Sequence, residues 1–142
     1  MSNLTKPLAA CLSVLAAASL AACAGPGTRT FDARGTVEEE ASPDTQCYTV
    51  RDDWLHEGGG VKIQAKGNTV AMAKIGAPTF EDRSLAGGGY VCRFPFTVGG
   101  VPAGEKFYTV VIEGHGEQDV SEGDLTNGTA VLAADKLANP AS

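Results

Sequence analysis

The chain has 142 residues, 43 % of them apolar, with 11 Lys/Arg against 17 Asp/Glu and a net charge of −6. That length gives room for one modest domain and not for two. An acidic chain without a basic patch is a poor nucleic-acid binder, because such binding depends on Lys/Arg neutralising phosphates.

The start, MSNLTK, is short and polar with one cation, and an uncharged, mostly apolar run follows from Leu8 to Ala22. Fifteen residues fall short of the ~20 needed to span a hydrocarbon core. The pattern is that of an export signal, so residues 1–22 are expected to be a signal peptide. The run ends in Leu20-Ala21-Ala22-Cys23, a tetrad that resembles the bacterial lipobox. That resemblance implies cleavage between Ala22 and Cys23 and a diacylglyceryl (palmitate-type) group on the Cys23 thiol. A second copy of the tetrad, ending at Cys11, comes too early, so Cys11 reads as a small hydrophobe inside the signal. Two acyl chains hold a protein at a membrane where one does so only marginally. An acidic domain gains no electrostatic help from an anionic leaflet, so the lipid must do the holding. Residues 23–28 then form the lipidated N-terminus and a tether.

From residue 29 to residue 134 the pattern reads as strands. TFDARGTV places Phe31, Ala33 and Val37 on one parity and makes a first strand, followed by a solvated acidic turn at Glu38-Glu39-Glu40 and ASPDTQ. Cys47 to Gly60 reads as a loop containing Asp52, Asp53, Trp54 and His56. The clearest hairpin is Val61–Ala65, a turn at Lys66-Gly67-Asn68-Thr69, then Val70–Ile75, since Gly and Asn tolerate positive φ. Ala77–Gly89 reads as a long connection. Tyr90–Val98 puts Cys92, Phe94, Phe96 and Val98 on one face, with Arg93 and Thr97 opposite. Pro95 cannot donate to a ladder, so the strand is at an edge or bulged there. GGVPAGEK is read as a turn into Phe107–Glu113, where apolar residues of both parities predict a central strand covered on both faces. Ser121-Glu122-Gly123-Asp124 suits a helical turn with a serine cap, Asn127-Gly128 a turn, and Thr129–Ala133 a last strand. Residues 135–142 are expected to be a flexible tail. Five to seven short strands with glycine-rich turns predict an all-β fold, a small antiparallel β-sandwich of immunoglobulin-like or prealbumin-like type with one disulfide.

The stretch CRFPFTVGGVPAGEKFYTVVIEG is similar to a signature of small secreted and lipid-anchored actinobacterial proteins of unknown function. Those combine a cysteine, F-P-F-x-V, V-P and a strand of the F-Y-x-V-x-V type with an earlier cysteine, an acidic loop pair and an S-x-x-D/E-L turn. Here the counterparts are Cys47, Asp52-Asp53 and Ser121 to Leu125, and the similarity spans about Cys47 to Leu132. The phrase F-x-V…V-P-A-G…Y-x-V-x-I also resembles the closing strands of prealbumin-like and surface-repeat sandwiches. Neither group supplies catalytic residues to carry over.

Chemistry is sparse. There is no nucleophile elbow, P-loop, H-E-x-x-H or CxxC pattern, and His56 and His115 are the two imidazoles. With Asp52, Asp53 or Glu117 they suit zinc by donor type, while the simpler reading is two exposed loop histidines. Glu117, Asp119, Glu122, Asp124 and Asn127 form an oxygen-rich run that fails the EF-hand pattern, because Asp124 stands where glycine is required. Trp54 is either a loop anchor or packed under its loop. With Cys23 acylated and the signal removed, Cys47 and Cys92 are the remaining thiols, and export favours a disulfide over two buried thiols or a metal pair. The expected function is a non-catalytic binding or accessory module of the cell envelope, lipid-anchored on the extracytoplasmic face of the cell membrane, with an envelope or cell-wall partner and no cofactor. The alternatives are a small metal-binding protein or hydrolase using His56 and His115, and a structural or immunity-type surface lipoprotein.

Overall fold

The computed structural model describes residues 27–44, 47 and 55–138. Cys11, Ala22, Cys23, Asp52, Asp53 and Trp54 lie outside them, so the signal, lipidation and acidic-loop expectations have no structural counterpart here.

Two four-stranded sheets pack face to face. The first has the order β4 (Thr79–Asp82), β5 (Tyr90–Pro102), β1 (Thr30–Ala41), β8 (Ala130–Ala133). The second has the order β3 (Asn68–Lys74), β2 (Gly60–Ala65), β6 (Phe107–Ile112), β7 (Gly116–Ser121). The all-β sandwich is as the sequence predicts, with eight strands among the described residues instead of five to seven. One pair departs from the antiparallel rule: β8 runs parallel to β1. The chain leaves β7 through the helix α1 (Glu122–Asn127) and crosses to the other sheet, so β8 reaches β1 without a hairpin.

The core follows from period-two alternation. Ala33 and Val37 of β1, Cys92, Phe94, Phe96 and Val98 of β5, and Leu132 of β8 face Val61 and Ile63 of β2 and Tyr108, Val110 and Ile112 of β6. Gly35 sits directly under the Phe96 ring. A Cβ there would come within 2.5 Å of the ring carbon Cζ, so glycine makes the room that Phe96 fills. The β2–β3 hairpin forms as predicted, and its two-residue turn uses positive φ at both Lys66 (52°) and Gly67 (79°). Ser121 caps α1 by accepting the Asp124 N–H at 3.1 Å.

Several expectations are corrected. Glu38, Glu39 and Glu40 belong to β1, because the strand continues pairing with β5 as far as Ala41 and Tyr90. The connection from Ala77 to Gly89 contains β4 and a 3-10 turn at Ser84–Ala86. Gly99-Gly100 is no turn. The β1–β5 register slips there, from Ala33↔Val98 to Phe31↔Val101, and β5 runs on to Pro102. Pro95 is tolerated because the Pro95 carbonyl accepts from Gly76 N–H at 2.8 Å. The missing donor of Pro95 therefore faces away from β1, where β4 has already ended. β6 is central, but only one of its faces is buried, and Phe107 on the other is 53 % exposed. Glu117 and Asp119 of the oxygen-rich run, for which no strand is predicted, belong to the edge strand β7. The tail expected from residue 135 is held as far as Ala138. Ala134–Lys136 form a 3-10 turn, and Ala138 exchanges two backbone hydrogen bonds with Glu117, at 2.8 and 3.0 Å.

Candidate functional site

The disulfide forms as predicted: Cys47 and Cys92 are bridged with their Cα atoms 5.6 Å apart. Cys92 is on the inward parity of β5, so the bridge ties the segment after β1 to the core face of the first sheet.

Beside it, the outward side chains of three strands form one charged cluster. Glu38 of β1 stands opposite Arg93 of β5 in register. Glu38 Oε1 lies 2.8 Å from Arg83 Nη2 and 3.1 Å from Arg93 Nε, and Glu38 Oε2 accepts from Arg83 Nη1 at 3.2 Å. Glu81 of β4 closes the set, with Oε2 at 3.0 Å from Arg83 and 3.5 Å from Arg93. Two carboxylates share two guanidiniums, one of them gripped at both oxygens, which is the geometry that suits Arg. The Glu81 carboxyl is held below its ordinary value, first by the hydrogen bond from Arg83. Val91, on the same outward parity as Arg93, is 8 % exposed.

This cluster anchors the β4–β5 loop. Arg83 N–H donates to the Gly89 carbonyl at 2.7 Å, and the Arg83 carbonyl accepts from Ala86 and Gly88 at 2.9 and 3.0 Å. Asp82 Oδ1 accepts the Ser84 N–H at 2.9 Å, and the Ser84 hydroxyl, followed by that N–H, holds the Asp82 carboxyl below its ordinary value. A loop so well bonded nevertheless carries Leu85 fully exposed at its apex. At its base Phe80 and Tyr90 stack, with centroids 5.6 Å apart and rings within 14° of parallel.

At the opposite end of the first sheet, Tyr108 is buried under the β5–β6 turn. The Tyr108 hydroxyl lies 2.5 Å from the Pro102 carbonyl and 3.0 Å from Glu122 Oε2, and accepts from Glu105 N–H at 3.3 Å. Burial pushes the phenol up. Glu122, which also accepts Gly104 N–H at 2.7 Å, is held down by that bond. This set fastens α1 to the turn.

His56 precedes β2 and His115 sits in the β6–β7 turn, at the same end of the second sheet. Among the described residues no group of three His, Cys, Asp or Glu side chains is placed to hold a metal. Asp119 and Asp124 of the oxygen-rich run are spent locally. Asp119 accepts from Thr109 Oγ1 at 2.7 Å, and Asp124 accepts from Ser121 at 2.6 Å and Thr129 at 2.9 Å. Asp119 and Asp124, with Phe107, Ser121 and Val131, line a shallow groove of about 350 Å³ between the β7 and β8 edges.

Sequence reasoning missed Leu85 and the cluster of Glu38, Glu81, Arg83 and Arg93, apart from placing Arg93 on the outward face. The available signal was parity: Glu38 continues the outward set Arg34 and Thr36 of β1. No family model matches this chain, and neither a curated protein nor a solved structure matches it.

Proposed function

We propose that this chain is a cell-envelope lipoprotein, lipidated on Cys23 and held on the extracytoplasmic face of the cell membrane. On this reading its sandwich is a non-catalytic binding or accessory module. The observation that carries it is the ordered β4–β5 loop with Leu85 at its apex. The loop stands at the far end of β1 from Thr30, where the chain enters the fold. Eleven strand steps at about 3.3 Å put roughly 36 Å between entry point and loop. A lipid on Cys23 would hold one end at the membrane and leave the other facing outward. The Cys47–Cys92 bridge supports export, because such bonds persist in oxidising compartments. The non-catalytic reading is supported by what the carboxylates already do, since Glu38, Glu81, Glu122, Asp119 and Asp124 each hold a structural partner.

The test has two arms. Cys23→Ser should move the protein out of the Triton X-114 detergent phase or leave it uncleaved, and identical partitioning of variant and wild type would end the anchor reading. A photo-crosslinking residue in place of Leu85, activated in intact cells, should give one discrete adduct that the same residue at exposed Val131 does not. Equal labelling at both positions would end the assignment of this loop.

A further inference from the structure

The outer face of the second sheet is sorted by charge. Residues 60–74, the β2–β3 half, carry Lys62, Lys66 and Lys74 and no carboxylate. Residues 107–121, the β6–β7 half, carry Glu113, Glu117 and Asp119 and no lysine or arginine. Apolar side chains stand among these charges: Met72 of β3 is 67 % exposed, and on β6 Phe107 is more than half exposed and Val111 half-buried. Part of the attraction is spent inside the sheet, where Lys62 Nζ lies 2.7 Å from Glu113 and holds that carboxyl down. Lys74 and Glu117 stand on the two outer strands of the sheet, β3 and β7, with β2 and β6 between them.

We infer that this face binds a second copy of the same chain, outer face to outer face, about a two-fold axis parallel to the strands. The strand order decides the axis. Rotation about a line along the strands lays β3 over β7 of the second copy and β2 over its β6, so the lysine half meets the carboxylate half twice. Rotation about a line across the strands would lay β3 on β3 and lysine on lysine, which like-charge repulsion forbids. The rows also agree. Met72, Lys62, Val111 and Glu117 lie side by side in register, so the two-fold sets Met72 against Glu117 and the Lys62 stem against Val111. Lys74, one row further along, comes diagonal to Glu117. This is the self-complementary pattern an isologous dimer requires.

Size fixes the strength. Four strands about 4.8 Å apart and six residues long present on the order of 400 Å² per copy, or roughly 800 Å² in total. A stable complex buries about 1,200–2,000 Å², so the association is weak and reversible. The membrane tether proposed above would raise its effective concentration, but the contact itself does not depend on that tether.

The experiment is sedimentation equilibrium of the full chain in density-matched pentaethylene glycol octyl ether micelles, for wild type, Lys74→Glu and Glu117→Lys. Wild type should show a concentration-dependent monomer–dimer equilibrium. Each single variant should weaken it about tenfold or more, since each puts like charges at both symmetric contacts. An equimolar mixture of the two variants should recover dimerisation, because both contacts then pair opposite charges. Misfolded variants could not produce that recovery. A wild type still monomeric at about 1 mM would overturn the proposal and leave the face to a foreign partner. Single variants that dimerise like wild type, or a mixture that stays monomeric, would overturn it equally.

Discussion

The two outer faces of this sandwich are built from the same residue types and end in opposite states. On the first sheet, Glu81, Arg93 and Glu38 come from three adjacent strands and Arg83 from the loop, and all four charges close on one another. On the second sheet the lysines fall in one hairpin and the carboxylates in the other, so a single in-sheet pair, Lys62–Glu113, joins the halves, while Lys66 pairs with Glu105 in a turn. Interleaving charge along the chain yields a neutral, self-satisfied cluster that stiffens a loop. Segregating charge by hairpin yields a face with a polarity that a second molecule can use. Covalent reinforcement is divided as unevenly, since the disulfide ends on the first sheet at Cys92.

The largest way to break that asymmetry is to open the bridge. Cys47 and Cys92 are 45 residues apart in sequence, and in the loop-entropy account a bridge of that span constrains the unfolded chain by about 4 kcal/mol. For a domain of this size that corresponds to a fall in Tm on the order of 15 °C. Cys47→Ser should show it in a thermal melt, as should reduction of the wild type. A shift of under about 3 °C would mean that the first sheet draws little from its crosslink.

A smaller effect separates the two faces directly. Glu38 is only 17 % exposed and serves two guanidiniums, so Glu38→Gln leaves Arg83 and Arg93 crowded together with one carboxylate between them. Glu113 is half exposed and serves Lys62 in solvent, where an ion pair is worth little. Thermal melts should rank the two replacements clearly, with Glu38→Gln lowering Tm and Glu113→Gln leaving it within error. Hydrogen exchange should rise at Arg83, Ala86 and Gly88 in the first variant alone, because their amides close the loop that Arg83 anchors. Equal melting of the two variants would remove the distinction drawn between the faces.

What the sequence made legible follows the same division between local and distant causes. The β2–β3 hairpin, the inward set Cys92 to Val98, the serine cap of α1 and the Cys47–Cys92 pair were readable, because each is written in neighbouring residues or in a count of two. Glu38-Glu39-Glu40 looked like a wet turn, since nothing nearby announces that Arg93, 55 positions on, stands opposite Glu38 in register. Gly116–Ser121 hides its strand character for another reason. An edge strand with one neighbour needs little apolar surface, and here Val120 and the glycine at 116 supply the buried positions. Gly99-Gly100 looked like a turn because two glycines also suit a bulge, and only the continued pairing of β1 decides between them. Leu85 carries no sequence signal, because a lone leucine in a glycine-rich loop has no pattern; its exposure stands out only beside the hydrogen bonds that close the loop from Arg83 to Gly89.

The smallest effect lies in the acid titration. Glu81 on the first sheet and Glu113 on the second are both held below their ordinary value of 4.5, the first chiefly by the Arg83 hydrogen bond and the second chiefly by that of Lys62. Asp124 is lowered by the Ser121 and Thr129 hydroxyls and Glu122 by Gly104 N–H. A carboxyl whose folded value is depressed binds fewer protons folded than unfolded, so its stabilisation is complete above the unfolded value and is lost as pH falls through the folded one. Stability should therefore be level above about pH 5.5 and decline steadily below about 4.5 as these groups protonate. Carboxyl-carbon NMR should place the midpoints of Glu81, Glu113, Glu122 and Asp124 below those of the same residue types in the unfolded chain. High salt divides the faces once more, because screening acts mainly on exposed pairs. About 1 M NaCl should return Glu113, bonded to one lysine, further towards its ordinary value than Glu81, whose Arg83 partner is also gripped by Glu38. If salt moves both by the same amount, the closed cluster is no better shielded than an isolated pair.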